Sequence, residues 1–247
     1  PYGAHAERVA ADSGGRACAP LDAAALVAQL APGEHPRARK GITAKEAFKM
    51  PQFYLIMGFC FCLNFGMYLN GMVPSYVHTL AVGTAVPMLG AWATSLSMAA
   101  QTGTKLGLGY IGEKHPFSGA IACVAMGVVG AALILIGGAG NAAVVIAVGA
   151  FSYGIYYGVT NVMTPSLARK TFGGLEYSIV YARISMAANV AGVCSGFLWG
   201  AVIDIAGFEV AFVGAAVLIS CAIACTLGLA YFQNRDIKRF LQNGDSE

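Results

Sequence analysis

Two cations stand out because each lies inside an apolar run: Lys105, in Gln101-Thr-Gly-Thr-Lys105-Leu-Gly-Leu-Gly109-Tyr-Ile-Gly-Glu113-Lys114, and Arg183. A charged side chain near the centre of a bilayer costs about 2.5–3.5 kcal/mol on insertion scales. An anionic ligand or an acidic partner has to offset that cost, and the core of neither run contains an acid. Arg183 is suited to holding a carboxylate bidentately, whereas Lys105 acts more as a point charge. Gln101 precedes Lys105 by one helical turn and shares its face. Tyr153 and Tyr157 are also one turn apart, placing two hydroxyl-bearing rings in one wall. Lys105 lies eight residues before Glu113, about 12 Å at 1.5 Å per residue, and Arg183 lies at a similar distance from Glu176. Equal depth on two cavity-facing helices describes an anion site. Snorkelling towards lipid phosphate is the competing reading of both cations.

The composition says what must carry these residues. Fifty-seven per cent of the 247 residues are hydrophobic and only 11% are charged, which excludes an ordinary soluble domain. The 32 glycines favour close helix packing of the membrane kind. Six of the seven cysteines (all but Cys18) fall in apolar runs and read as small packing residues rather than a disulfide framework. No metal-ligand spacing and no nucleophile–base pair is present in the pattern, so neither an enzyme nor a cofactor is expected. The chain opens at Pro1 without the basic-then-apolar pattern of a signal peptide, and is expected to be a fragment or a trimmed chain.

Residues 1–41, rich in Ala, Pro and Gly, are predicted to be a flexible linker. Thr43-x-x-Glu46 has capping-box spacing, which predicts an interfacial amphipathic helix over 42–51. Residues 52–232 are predicted to form six membrane-spanning helices, near 53–79, 86–110, 117–137, 141–164, 176–203 and 209–232, followed by a tail over 233–247. Each run exceeds or approaches the ~20 residues that cross a hydrocarbon core of about 30 Å. Lys and Arg gather at 37–49, 114, 169–170 and 235–239, and the connections at 80–85, 138–140 and 204–208 hold none. By the positive-inside rule both termini are therefore cytoplasmic, in a multi-pass protein of the plasma (inner) membrane.

An internal echo supports two inverted three-helix units. Phe65-Gly66-Met67-Tyr68 recurs as Tyr153-Gly154-Ile155-Tyr156, and Gly109-x-x-x-Glu113 recurs as Gly200-x-x-x-Asp204. Inverted repeats of this size are a transporter feature, with binding near the midplane. The first, second, fourth and fifth spans carry the polar residues; the third and sixth read as lipid-facing scaffold.

Lys105-x-x-x-Gly109-x-x-x-Glu113-Lys114 resembles the loop signature of the major facilitator superfamily, with Glu113 where Asp is usual. Gly196-x-x-x-Gly200-x-x-x-Asp204-x-x-Gly207 is similar to the end of the eleventh helix of that superfamily. Pro165, Ala168-Arg169-Lys170 and Phe172-Gly173 resemble the connection before it. The resemblance covers about 42–240, as the C-terminal six-helix half of a twelve-helix fold. Thr43-Ala-Lys-Glu-Ala-Phe-Lys-Met-Pro-Gln-Phe and the Gln101…Lys105 pair look most like the oxalate/formate antiporter and monocarboxylate porter group. The resemblance implies that Lys105, where that group more often has Arg, faces a carboxylate, with Gln101 as the amide one turn earlier. It also implies a basic residue on the eleventh helix, at the depth of Arg183 or of Asn189. Gly109, Glu113 and Lys114 would form a cytoplasmic gate. The expected activity is secondary transport of small organic anions, mono- or dicarboxylates, with a missing N-terminal six-helix half or a second half-transporter as partner. Efflux of drug-like or amphipathic compounds, and a non-transporting receptor or assembly subunit, are the alternatives.

Overall fold

The computed structural model describes residues 42–114 and 116–244, and among these it is all helical. In chain order the elements are α1 (Ala44–Ala47), α2 (Pro51–Met67), a 3-10 segment (Tyr68–Met72), α3 (Val73–Thr79), α4 (Ala81–Ala85), α5 (Leu89–Lys114), α6 (Pro116–Ala139), α7 (Ala143–Phe172) and α8 (Tyr177–Gly244). The linker predicted for residues 1–41 lies outside the described residues.

Among the described residues, four helices are long and apolar enough to cross a membrane: Pro51–Thr79, Pro116–Ala139, Ala143–Phe172 and Tyr177–Arg239. They mark the chain as a membrane protein. The last of them covers 63 residues, roughly 95 Å if straight, which is about three times a hydrocarbon core. It is not straight. Gly207 has φ 85° and ψ 171°, so the helix breaks there into a first limb (177–206) and a second limb (208–244). Trp199 of the first limb packs beside Gly214 of the second, so the chain folds back on itself. A β-branched side chain at this φ and ψ, a region that glycine alone enters freely, costs roughly 1–3 kcal/mol. Gly207→Val is therefore expected to lower the unfolding free energy in mixed micelles by about that amount.

The helices depart from the sequence expectation at several points, including the last, which continues to Gly244 instead of stopping at 232. The first span is interrupted by the 3-10 turn at 68–72, ahead of Pro74. The fourth continues to Phe172 through Pro165 instead of stopping at 164. Proline is tolerated inside such helices because neighbouring groups satisfy the freed backbone. The helix predicted over 42–51 is shorter than expected. Only Ala44–Ala47 is helical, with the Thr43 N–H donating to Glu46 Oε2 (3.3 Å), and Ile42 and Ala47 are buried. Finally, α5 is 26 residues long but falls short in apolarity, because Gln101, Lys105 and several Ser, Thr and Gly residues dilute it.

The packing forms two layers. In front, α5 lies on α7, α7 touches α2, and α2 is embraced by both limbs of α8. Behind, α6 packs on α7 and meets the second limb of α8 along Val128, Leu135, Val213 and Val217. Buried aromatic side chains tie α7 and the first limb of α8 to α2 at the centre of the front layer. Tyr153 Oη donates to the Gly66 carbonyl (2.6 Å) and Tyr156 Oη to the Leu63 carbonyl, while Trp199 Nε1 donates to the Phe65 carbonyl (2.9 Å). Buried hydroxyls and an indole N–H in an apolar interior need such partners. Hydrogen bonds between membrane helices average about 0.6 kcal/mol and reach about 1.7. Tyr156→Phe is expected to lower unfolding stability within that range, measured by denaturation of the reconstituted protein in micelles.

Charge separates the two ends of the bundle. The Ile42 N–H donates to the Phe172 carbonyl (3.3 Å), the Ala44 N–H to Glu176 Oε2 (2.6 Å) and Gln52 Nε2 to Asp236 Oδ2 (2.6 Å). These bonds bring residues 42–52, 169–176 and 233–239 to one end, along with Lys45, Lys49, Arg169, Lys170, Arg235, Lys238 and Arg239. At the other end Tyr76 packs on Phe208, and the Val82 N–H donates to Asn141 Oδ1 (3.3 Å). Among the described residues, the connections there carry no Lys or Arg.

Candidate functional site

α5 is held on one stripe only. Ala93, Ser97, Ala100 and Leu108 are buried, while Trp92, Leu96, Met98, Leu106 and Tyr110 are exposed. The stripe sits on two glycines of α7. A Cβ at Gly158 would come within 2.7 Å of Thr104 Cβ and 2.9 Å of the Gln101 carbonyl, and Gly154 abuts the Ser97 backbone. Small residues allow this backbone approach.

The near-basic half of α5 then parts from its neighbour. At the opposite end α3 packs on α5, Gly90 lies against Pro74, and Ser97 Oγ donates to Asn70 Oδ1 (2.8 Å) in a buried bond. Towards the basic end, α2 and α5 barely touch. The Asn70–Ser97 bond thus joins α5 to the 3-10 segment that follows α2, and towards the basic end α2 and α5 separate, each packed on α7. On α7, Tyr157 is half-buried and Asn161 exposed, whereas Tyr153 and Tyr156 are buried on the side facing α2.

Gln101 and Lys105 are half-buried on α5, one and two turns beyond Ser97 towards the basic end. Lys105 has no ion pair and no side-chain hydrogen bond among the described residues. Thr104 is already spent on its own helix, its hydroxyl donating to the Ala100 carbonyl (2.8 Å). A half-buried ammonium with three donors and no acid beside it can accept an anion without displacing an internal partner.

The remaining sequence candidates divide. Tyr157 joins the Gln101–Lys105 region through α7. Tyr153 does not: it is fully buried with its hydroxyl committed to Gly66, and its job here is packing. Arg183 and Asn189 are exposed on the first limb of α8, which has at most marginal contact with α5. α7 and α2 stand between the two cations, so within this chain they occupy opposite flanks of the front layer. Gly109 is exposed, with open space where a Cβ would be. The side chains of Glu113 and Lys114, and so the gate assigned to them, lie outside the described residues.

The sequence marks Asn161 as a polar residue of its span but not as a site residue, and it gives no sign of the Asn70–Ser97 bond. Asn161 was visible as one turn beyond Tyr157 on the same helix. The Asn70–Ser97 pairing joins residues 27 apart and had no signal in spacing. No protein-family model matches this chain, and no curated protein matches it.

Proposed function

We propose that this chain is the C-terminal six-helix half of a secondary transporter of the major facilitator superfamily type, carrying small organic anions such as mono- or dicarboxylates. In this reading α2 with α3, α5, α6, α7 and the two limbs of α8 are six crossings, and both termini are cytoplasmic. α5 crosses despite its polar residues because its mates cover one stripe and its polar wall faces a water-filled path.

The pairing of helices supports the inverted-repeat architecture. The second helix of the first unit (α5) leans on the first helix of the second unit (α7), and the second helix of the second unit (first limb of α8) leans on α2. The third helices of both units meet behind. Two three-helix units related by a twofold axis in the membrane plane exchange partners in this way. The segregation of Lys and Arg to one end supports the orientation.

The observation that carries the substrate class is Lys105. It is half-buried one turn from Gln101, on the helix that packs against the α7 segment carrying Tyr157 and Asn161, and it has no acid partner among the described residues. A carboxylate would supply the missing charge, with the amide and phenol as neutral donors. Arg183, on the opposite flank, would reach the same ligand only when a second six-helix unit closes the path. Counterflow of labelled small carboxylates into proteoliposomes of the full-length protein is the test. Saturable, self-competing exchange is expected. Flux of amphipathic cations alone, or no flux of any solute, overturns the reading.

A further inference from the structure

The last turn of α7 and the turn that follows it enclose a cavity of about 460 Å³, lined by Pro165, Ser166, Arg169, Gly174 and Tyr177. It lies on the basic end, away from Lys105. Tyr177 Oη donates to the Pro165 carbonyl (3.3 Å), tying the start of α8 across the cavity to α7. Gly174 leaves the mouth open, with no atom within 4 Å of where its Cβ would be. Arg169 has neither an ion pair nor a side-chain hydrogen bond among the described residues. The adjacent acid, Glu176, is turned away and spends its carboxylate on the Ala44 N–H (2.6 Å).

A second feature meets this cavity. At 100° per residue, Val148, Phe151, Ile155, Val162, Ser166 and Arg169 fall within an arc of about 60° on α7. The apolar members are exposed or half-buried, and the stripe runs straight into Ser166 and Arg169. Arg169 to Ile155 is about 21 Å along the helix, enough to follow one leaflet of a hydrocarbon core about 30 Å thick.

We propose that this surface holds one anionic phospholipid, its phosphate against Arg169 and Ser166 and an acyl chain along Val162 and Ile155. The inference needs α7 to cross a membrane but does not need the chain to transport anything. The guanidinium offers paired donors to phosphate oxygens and Ser166 adds a hydroxyl one turn away. Tyr177 can exchange its carbonyl partner for the headgroup. Neighbouring basic residues enrich anionic lipid at this end but are not part of the cavity.

Native mass spectrometry of the full-length protein tests this, titrated with phosphatidylglycerol, with phosphatidylcholine of the same chains, and with inorganic phosphate. One phosphatidylglycerol is expected to bind roughly tenfold tighter than phosphatidylcholine. Arg169→Gln is expected to abolish that preference, Ser166→Ala to weaken it roughly two- to fivefold, and Lys238→Gln to change it less than about twofold. Equal affinity for the two lipids overturns the proposal. Equal losses in Arg169→Gln and Lys238→Gln also overturn it, since charge at this end is then unspecific. Inorganic phosphate binding as tightly as phosphatidylglycerol overturns the lipid assignment in favour of a free anion. Should Arg169→Gln fail to fold, an unchanged preference in Ser166→Ala overturns the site equally.

Discussion

Replacing Lys105 by alanine is expected to lower carboxylate exchange by roughly 10- to 100-fold while leaving the fold intact. The magnitude follows from the loss of a charge-assisted hydrogen bond, about 1.5–3 kcal/mol, in a site with no other cation on the same wall. Stability should not fall, because the ammonium has no internal partner among the described residues and its helix is anchored elsewhere, through Ala93, Ser97, Ala100 and Leu108. Removing an unpaired, half-buried charge is neutral or mildly stabilising. Lys105→Arg keeps the charge and should retain much of the exchange, with a changed preference among carboxylates because the planar fork is more demanding of geometry. Gln101→Ala should cost less, roughly five- to tenfold, as one neutral hydrogen bond is lost. Initial rates in proteoliposomes, paired with a thermal unfolding midpoint for each variant, separate the outcomes. Full exchange by Lys105→Ala sinks its role as the anion contact. A parallel loss of stability would assign Lys105 to structure instead.

What the sequence carries about this site is depth, and what it lacks is azimuth. Apolar runs, their lengths and the one-sided basic residues announce a helical membrane protein, and the polar residues mark which helices line a path. Tyr153 and Tyr157 show the limit. Their one-turn spacing puts them on neighbouring strips of α7, yet the first is fully buried on Gly66 and the second is half-buried, because α2 covers one strip and not the next. Lys105 and Arg183 show it again. Distance from the helix ends gives comparable depth for both, but lateral order depends on which helices pair, and α7 and α2 come between them. Breaks were partly legible. Gly207 stood in a glycine-spaced run that resembled a helix end, and its positive φ is the turn itself. Pro165 pointed to a helix end and instead sits inside one, because neighbouring helices rather than local preference decide whether a chain buried in apolar surroundings stays helical.

Gly154 is expected to be the position where the smallest change does the most damage to folding. In an exposed helix, Gly→Ala stabilises by about 0.8–1 kcal/mol, since alanine has the better helix propensity. Gly103 of α5 is such a position, with nothing within 4 Å of an added Cβ, so Gly103→Ala should be neutral or stabilising here. Gly154 has the opposite sign. A methyl there would lie 2.7 Å from Ser97 Cα and 2.8 Å from its carbonyl carbon, and these are backbone atoms of a packed helix that cannot rotate away. Relief requires α5 to move off α7, and that movement weakens the stripe that anchors α5 and strains the Asn70–Ser97 bond. Overpacking of a tight interface costs typically 1–3 kcal/mol, which exceeds the propensity gain. Gly154→Ala should therefore lower unfolding stability by about 1–2 kcal/mol net, and Gly154→Leu should prevent recovery of a monodisperse protein from detergent. Because α5 carries Lys105, the proposed anion contact, Gly154→Ala should also depress exchange more than its stability loss accounts for, whereas Gly207→Val, at the far turn, should not. Thermal midpoints for Gly103→Ala and Gly154→Ala in the same micelles decide it. Equal shifts of the same sign would mean that α5 is not seated on α7 as closely as these contacts require.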